Sequence, residues 1–135
     1  MKIRKYNVND RDSLIELWQI IFPDDPPHNE PSKVIDAKLD VDDLIYLAEH
    51  DNRIVGSCMA GYDGHRGWLY AVAVLPEYRR SGSGSELVKY TINALKQLGC
   101  SKVNLQIRST NVAVADFYQS LGFETEDRLS MGLKI

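Results

Sequence analysis

One segment near the middle of the chain concentrates the residue types that bind phosphate: Val74-Leu75-Pro76-Glu77-Tyr78-Arg79-Arg80-Ser81-Gly82-Ser83-Gly84-Ser85. An apolar run ends at Pro76, two arginines and a Ser/Gly alternation follow, and residues with helical spacing then begin. Glycines let the backbone come close to a ligand and adopt dihedrals that other residues avoid. The unpaired N–H groups at a helix N-terminus, aided by the helix dipole, attract anions. Arg79 and Arg80 add positive charge. Together these features predict a phosphate or pyrophosphate site, although a solvated turn whose serines cap the helix fits the same composition. No Gly-Lys-Ser/Thr follows, so the segment is not a P-loop, and its glycine spacing is not that of the dinucleotide-binding fingerprint.

Arg79-Arg80-Ser81-Gly82-Ser83-Gly84 resembles the Q/R-x-x-G-x-G/A signature of the GNAT acetyltransferases, and Val72-Ala73-Val74-Leu75-Pro76 resembles the family's preceding strand, which ends in Val-x-Pro. The resemblance implies that acetyl-CoA is the co-substrate. The amides of Arg79, Arg80, Ser81, Gly82, Ser83 and Gly84 would hold its pyrophosphate. The backbone of Val72, Ala73 and Val74 would hydrogen-bond its pantetheine arm like an added strand, with the Val72 N–H as donor to the developing oxyanion. Two positions depart from the family pattern. Arg80 replaces a usual Gly, which is tolerable if its backbone keeps φ negative, and Ser83 replaces a usual Ile, Leu or Val, which loses a helix-anchoring apolar contact.

A second segment, Asn111-Val112-Ala113-Val114-Ala115-Asp116-Phe117-Tyr118-Gln119-Ser120-Leu121-Gly122-Phe123, resembles the family's N-x-x-A-x-x-F/L-Y-x-x-L-G-F/Y stretch, with Val114 at the usual Ala position. The two signatures cover residues 72 to 123. By this resemblance Asn111 also belongs to the cofactor site and Tyr118 is the general acid. The chemistry is consistent with that role. A departing thiolate, whose thiol has a reference pKa of ~8.5, leaves more easily with a proton donor beside it, and tyrosine at ~10 still carries its proton at neutral pH. The competing use of Tyr118 is to pack with Phe117 on an apolar helix face.

Other groups are less determined. Tyr70, Asp63 and His65 are candidates to take the proton of the attacking amine, but a β-turn with solvated charges is the preferred reading of the Gly61 to Gly67 segment, and a water chain could serve instead. Asp24, Asp25 and Glu30 could meet a cationic amine or simply be solvated. Arg79, Lys89 and Arg108 are all candidates for the 3′-phosphate of CoA. Cys58 and Cys100 belong to no nucleophile–base pattern and no metal-type spacing, so both are expected to be structural free thiols, with no metal site.

The elements that must position these groups follow from periodicity. Ile3 to Tyr6 reads as a strand, and a helix capped by Asn9 or Asp10 runs to about Ile21, with Leu14, Ile15, Leu17, Trp18 and Ile21 on its apolar face. A loop from Phe22 to Pro31 precedes a helix over Ser32 to Leu39. Strands Leu44 to Glu49 and Ile54 to Ala60 are joined by the tight connection Asp51-Asn52-Arg53. Trp68 to Val74 is a buried strand, and the next helix starts near Gly84 with Leu87, Val88, Thr91, Ala94, Leu95 and Leu98 inward and Gly99 ending it. Val103 to Ile107 alternates like a strand, Val112 to Leu121 is a helix, and Glu124 to Leu129 and Ser130 to Lys134 form a last strand pair.

The expected architecture is α/β: a mixed, mostly antiparallel sheet of six to seven strands flanked by four helices, in one N-acetyltransferase domain over residues 1–135. Composition sets the remaining bounds. The chain has 135 residues, 44% hydrophobic and 26% charged, with a net charge of -3, which argues against a general nucleic-acid binder. The charged N-terminus is not a signal peptide, and no apolar run reaches the ~18 residues of a membrane span. Free thiols fit a reducing cytoplasm, which is the expected location. The expected reaction is direct acetyl transfer from acetyl-CoA to a primary amine, on a small-molecule or peptide acceptor, without a metal or a covalent enzyme intermediate. A homodimer is compatible with this reading. A non-catalytic acyl-CoA-binding or protein-interaction module on the same fold is the alternative, and acceptor-dependent release of CoA separates the two.

Overall fold

In the computed structural model, which describes residues 1–135, the chain forms two compact units, Met1–Leu105 and Gln106–Ile135. The first is built on a sheet with strands β1 (Lys2–Lys5), β2 (Ile45–His50), β3 (Arg53–Tyr62), β4 (Gly67–Val74) and β5 (Val103–Asn104), in spatial order β1-β2-β3-β4-β5. The first three pairings are antiparallel and β4–β5 is parallel. A parallel neighbour needs a crossover, and helix α3 (Ser83–Gln97) is that connection. Helices α1 (Arg11–Ile21) and α2 (Pro31–Val41) lie between β1 and β2 in the chain.

Local chemistry accounts for most of the boundaries. The β2–β3 hairpin turns through Asp51 and Asn52 at φ 49° and 62°, a left-handed pair that matches strand twist and that Asp and Asn tolerate better than bulkier residues. One turn of tight helix, Val8–Asp10, precedes α1 and is capped by a box in which the Asn7 side chain accepts from Asn9 N and Asp10 Oδ2 accepts from Asn7 N. The Asp10 carboxylate also receives Arg4, at 2.7 and 2.9 Å. Glu30 caps α2, accepting from the Ser32 and Lys33 amides.

Neighbouring residues of a strand point to opposite faces, which locates the helices on the sheet. A Cβ on Gly56 would touch Leu87 of α3, while the next residue, Ser57, bonds Trp18 of α1. Helices α3 and α1 therefore cover opposite faces. Leu14, Leu17 and Trp18 of α1, Ile35 of α2 and Leu87, Val88, Thr91 and Leu95 of α3 are buried against Ile45, Leu47, Val55, Cys58 and Ala60 of the sheet. Leu98, expected on the inner face of α3, is 54% exposed because the helix ends at Gln97.

The second unit contains α4 (Val112–Ser120), capped by Asn111 and ended at Gly122 with φ 97°. The mixed α/β class with four helices is as expected, but the sheet has five strands rather than six or seven. The alternation over Val103 to Ile107 is paired only at Val103–Asn104, and the last expected strand pair does not form. Leu129, Met131, Leu133 and Ile135 keep the strand period yet are 88% exposed or more. Period-2 patterning marks a face, and a strand forms only where a ladder partner satisfies its backbone.

Candidate active site

The distinctive feature of β4 is a break in its register. Ser57 pairs with Ala73 and Met59 with Tyr70, so two residues of β4, Ala71 and Val72, oppose the single Cys58 of β3. This β-bulge places Ala71 at φ 48°, a conformation that costs a non-glycine residue on the order of 1–3 kcal/mol and persists only where its surroundings enforce it. Two buried side chains hold it. The Ser57 hydroxyl donates to the Ala71 carbonyl at 2.9 Å and accepts from the Trp18 indole N–H at 2.8 Å. On its other side β4 pairs with β5 only through Gly67 and Trp68. Within this unit, the stretch from Leu69 to Val74 thus has a free edge onto which an extended chain of amides can add.

Beyond the bulge the backbone turns into the Arg79–Gly84 loop. Leu75 is buried and its amide donates to Val55 O at 2.9 Å, which anchors the end of β4. Pro76–Tyr78 makes one tight helical turn. Arg80 and Gly82 then take φ 63° and 84° on either side of Ser81. The negative φ that would make an arginine easy to accommodate is not kept: the loop demands the left-handed conformation that glycine supplies freely, and Arg80 adopts it at a cost of about 1–2 kcal/mol. Ser81 Oγ donates to Tyr78 O at 2.6 Å and lies 2.8 Å from the buried Ser83 Oγ, a polar contact where the family pattern has an apolar one.

Gly82 is the N-cap of α3 and provides no side-chain cap. The first intrahelical bond runs from Glu86 N to Gly82 O at 3.0 Å, so the Ser83, Gly84 and Ser85 amides precede the ladder and point out of the helix end. A Cβ on Gly82 would meet nothing within 4 Å. Its glycine character therefore serves its positive φ, not internal packing, and leaves the space above its amide open. Arg79 and Arg80 are exposed, and Arg79 Nε donates to Val74 O at 3.0 Å. Free edge, left-handed loop and uncapped helix end form a continuous backbone surface suited to a polar extended arm ending in a pyrophosphate.

The second signature lies in the other unit. Tyr118 is 6% exposed and meets Phe117 and Phe123 edge-on, with ring centroids 5.0 and 5.5 Å away. Its carbonyl accepts from the Leu121 and Phe123 amides as α4 ends. Asn111 Oδ1 accepts from Val114 N at 3.3 Å, so its side chain is engaged as a helix cap.

The proton-acceptor candidates separate clearly. Asp63 Oδ1 accepts from the His65 and Arg66 amides, both at 2.8 Å. These bonds hold its carboxyl below the usual carboxylate range, which makes it a turn-former and a poor base. Tyr70 is 47% exposed on β4, its hydroxyl pKa raised by partial burial and then by the Asp63 charge. Among the acidic loop residues, Glu30 is engaged at the start of α2, and it and Asp25 both line a cleft of ≈ 320 Å³ with Phe22 and Asn29. Both cysteines are free and buried. Burial pushes the Cys58 thiol up to about 12, far from nucleophilic range. The Cys100 sulfur stands 2.7 Å from where a Cβ on Gly67 would lie. Sequence reasoning missed Trp18 and Ser57. The only local sign was a serine inside the otherwise apolar Ile54 to Ala60 run.

A sequence model of the acetyltransferase (GNAT) family matches residues 11–123. An acetyltransferase of Yersinia pestis (strain Pestoides F) is 37% identical over 139 residues, covering 100% of this chain and 96% of that protein. Among solved structures, the aminoglycoside N-acetyltransferase AAC(6')-Iy in complex with CoA superposes with a TM-score of 0.82 at 20% identity, over 98% of this chain and 93% of that one. The aminoglycoside 6'-N-acetyltransferase of Acinetobacter haemolyticus gives 0.80 at 24% identity, over 100% and 99%. The chain belongs to the GNAT family of acetyltransferases and is an acetyl-CoA-dependent N-acetyltransferase.

Proposed function

We propose that the two units act as one domain that acetylates the primary amine of a small molecule or peptide by direct attack, in the cytoplasm. The observation that carries this reading is the bulged, open-edged β4 leading into the left-handed Arg80–Gly82 loop. Acetyl-CoA supplies an acyl group activated as a thioester. In this reading the backbone of Val72, Ala73 and Val74 receives the pantetheine arm. The amides from Arg79 to Gly84 receive the pyrophosphate, and the family resemblance also assigns Asn111 to cofactor binding. The Val72 N–H stabilises the negative charge that develops on the acyl oxygen, a task for a fixed donor. The amine nitrogen forms the new C–N bond as the C–S bond breaks. Tyr118 gives its proton to the departing sulfur. The amine loses one proton to water, through which Tyr118 is reprotonated, because Tyr70, with its pKa raised, keeps its own proton at neutral pH and is not the base. The products are an amide and CoA.

The loop from Phe22 to Pro31, with Asp24 and Asp25, favours a cationic acceptor, because carboxylates stabilise a nearby ammonium. The solved relatives with aminoglycoside acceptors are consistent with that choice. The test is a panel of aminoglycosides, polyamines and peptides with free α-amines, each incubated with acetyl-CoA while free thiol is followed. Acceptor-dependent thiol release with a matching mass gain of the acceptor supports the reading. CoA binding without release by any class of amine overturns it in favour of a non-catalytic module.

A further inference from the structure

Trp18 is 3% exposed and Ser57 is fully buried. An indole N–H can only donate, so in the 2.8 Å contact the Ser57 oxygen accepts. The single hydroxyl proton of Ser57 is then committed to the Ala71 carbonyl, 2.9 Å away. The relay has one direction: from indole to hydroxyl to carbonyl. Its last member shares a peptide group with the Val72 N–H. No peptide bond in the chain is cis, and in a planar trans peptide the C=O and N–H point in opposite directions. Pinning the Ala71 oxygen toward Ser57 therefore aims the Val72 hydrogen away from it. Hydrogen bonds in series also polarise one another, so a bond received at the carbonyl strengthens the N–H at the other end of the same group.

We propose that Ser57, backed by Trp18, is a positioning residue that orients and polarises the Val72 amide as an oxyanion donor. This inference rests on the role given to that amide above. The Ser57 oxygen also satisfies the buried Trp18 N–H, but that contact alone does not require the hydroxyl proton to reach Ala71. A serine in the middle of an apolar strand, facing a helix, could be an alanine with little loss of packing, whereas a buried hydroxyl is tolerated only when satisfied. No buried side-chain polar atom of the chain lacks a partner. The carbonyl that satisfies this one is exposed to it by the left-handed turn at Ala71, the same turn that frees the Val72 amide from its register.

The test uses isotope-edited infrared spectroscopy of acetyl-CoA, labelled at the acetyl carbonyl, bound to the full chain without any acceptor. In the wild-type protein the thioester C=O stretch is expected below that of free acetyl-CoA, because a donor polarises the carbonyl. In Ser57→Ala the stretch should move back toward the free value. The acetyl-CoA Kd should stay within about threefold, since the remote binding contacts are untouched. Ser57→Thr, which keeps the hydroxyl, should restore the wild-type frequency, and Trp18→Phe should give a smaller displacement in the direction of Ser57→Ala. Trp18→Phe also serves as the deciding variant if Ser57→Ala does not fold. A wild-type frequency retained without the hydroxyl, or Ser57→Thr behaving as Ser57→Ala, overturns the inference while leaving the Val72 role intact. A wild-type stretch equal to that of free acetyl-CoA overturns the Val72 role and the relay with it.

Discussion

The β4–loop region and helix α4 carry the two family signatures by different physical means. In the first, the groups assigned to binding and catalysis are main-chain amides. What shapes them is a bulge at Ala71, left-handed residues at Arg80 and Gly82, and an uncapped helix start. Arg79 and Arg80 are both exposed, Arg79 turning back to bond Val74 O, and Arg80 is a residue that its backbone disfavours. In α4 the assigned group is one hydroxyl, on a ring set between Phe117 and Phe123. A backbone site therefore tolerates many side chains but few dihedrals. A side-chain site tolerates small changes in dihedral but not the loss of one oxygen.

The largest expected effect breaks the comparison on the α4 side. Tyr118→Phe keeps the ring and deletes the hydroxyl, and loss of a general acid should lower the turnover number about 10²–10⁴-fold. Steady-state kinetics should show that fall with little change in CoA affinity. Unchanged turnover, with chemistry rate-limiting, would remove Tyr118 from the acid role. A drop in melting temperature would make the hydroxyl a structural partner instead.

Next in size is Gly82→Val. The left-handed φ and the approach of the ligand both exclude a branched side chain. Ligand at 100 times its Kd stabilises a native state by roughly 2.7 kcal/mol. In wild type this should raise the melting temperature when CoA is added, and in Gly82→Val the rise should vanish. A variant that still responds to CoA like wild type would place the pyrophosphate elsewhere.

Arg80→Gly sharpens the same side in the opposite direction. Releasing a left-handed arginine should leave the apo protein more stable by up to about 1 kcal/mol, after the greater chain entropy of glycine is subtracted. Chemical denaturation measures it, and a clear loss of stability would show that the arginine side chain contributes more than its backbone costs.

The smallest effect lies outside both regions and serves as a control. Asp10 is held below its ordinary pKa by its hydrogen bonds to Arg4. Its contribution to stability is complete above the unfolded value of 3.8 and is lost as pH falls through the lower folded value. Asp10→Asn should flatten the acid limb of the stability curve below about pH 4 and leave acetyl transfer at neutral pH unchanged. An unaltered acid limb would mean that the Arg4 pair is not coupled to folding.

What the sequence made legible follows the range of the interactions involved. Apolar spacing located α1, α3 and α4, and Asp51-Asn52 marked the hairpin, because both signals are local. Gly82 and Gly84 marked the loop for the same reason. The left-handed φ of Arg80 could have been anticipated, since the family places a glycine there, but the arginine itself pointed the other way. The bulge at Ala71 was not legible. It depends on Ser57, fourteen residues earlier in the chain, and on Trp18, on a different element, and neither proximity is encoded locally. The alternating Leu129, Met131, Leu133 and Ile135 show the converse failure, a local strand signal without a partner to complete it.

The central claim is that CoA is held by main-chain groups of β4 and its loop. A titration of the isotope-labelled full chain with CoA, followed by amide nuclear magnetic resonance, tests it most directly. The amides of Val72, Val74, Gly82, Ser83 and Gly84 should show the largest shifts, with the β1–β2 amides nearly still. Shifts concentrated away from Val72–Gly84 would contradict the claim.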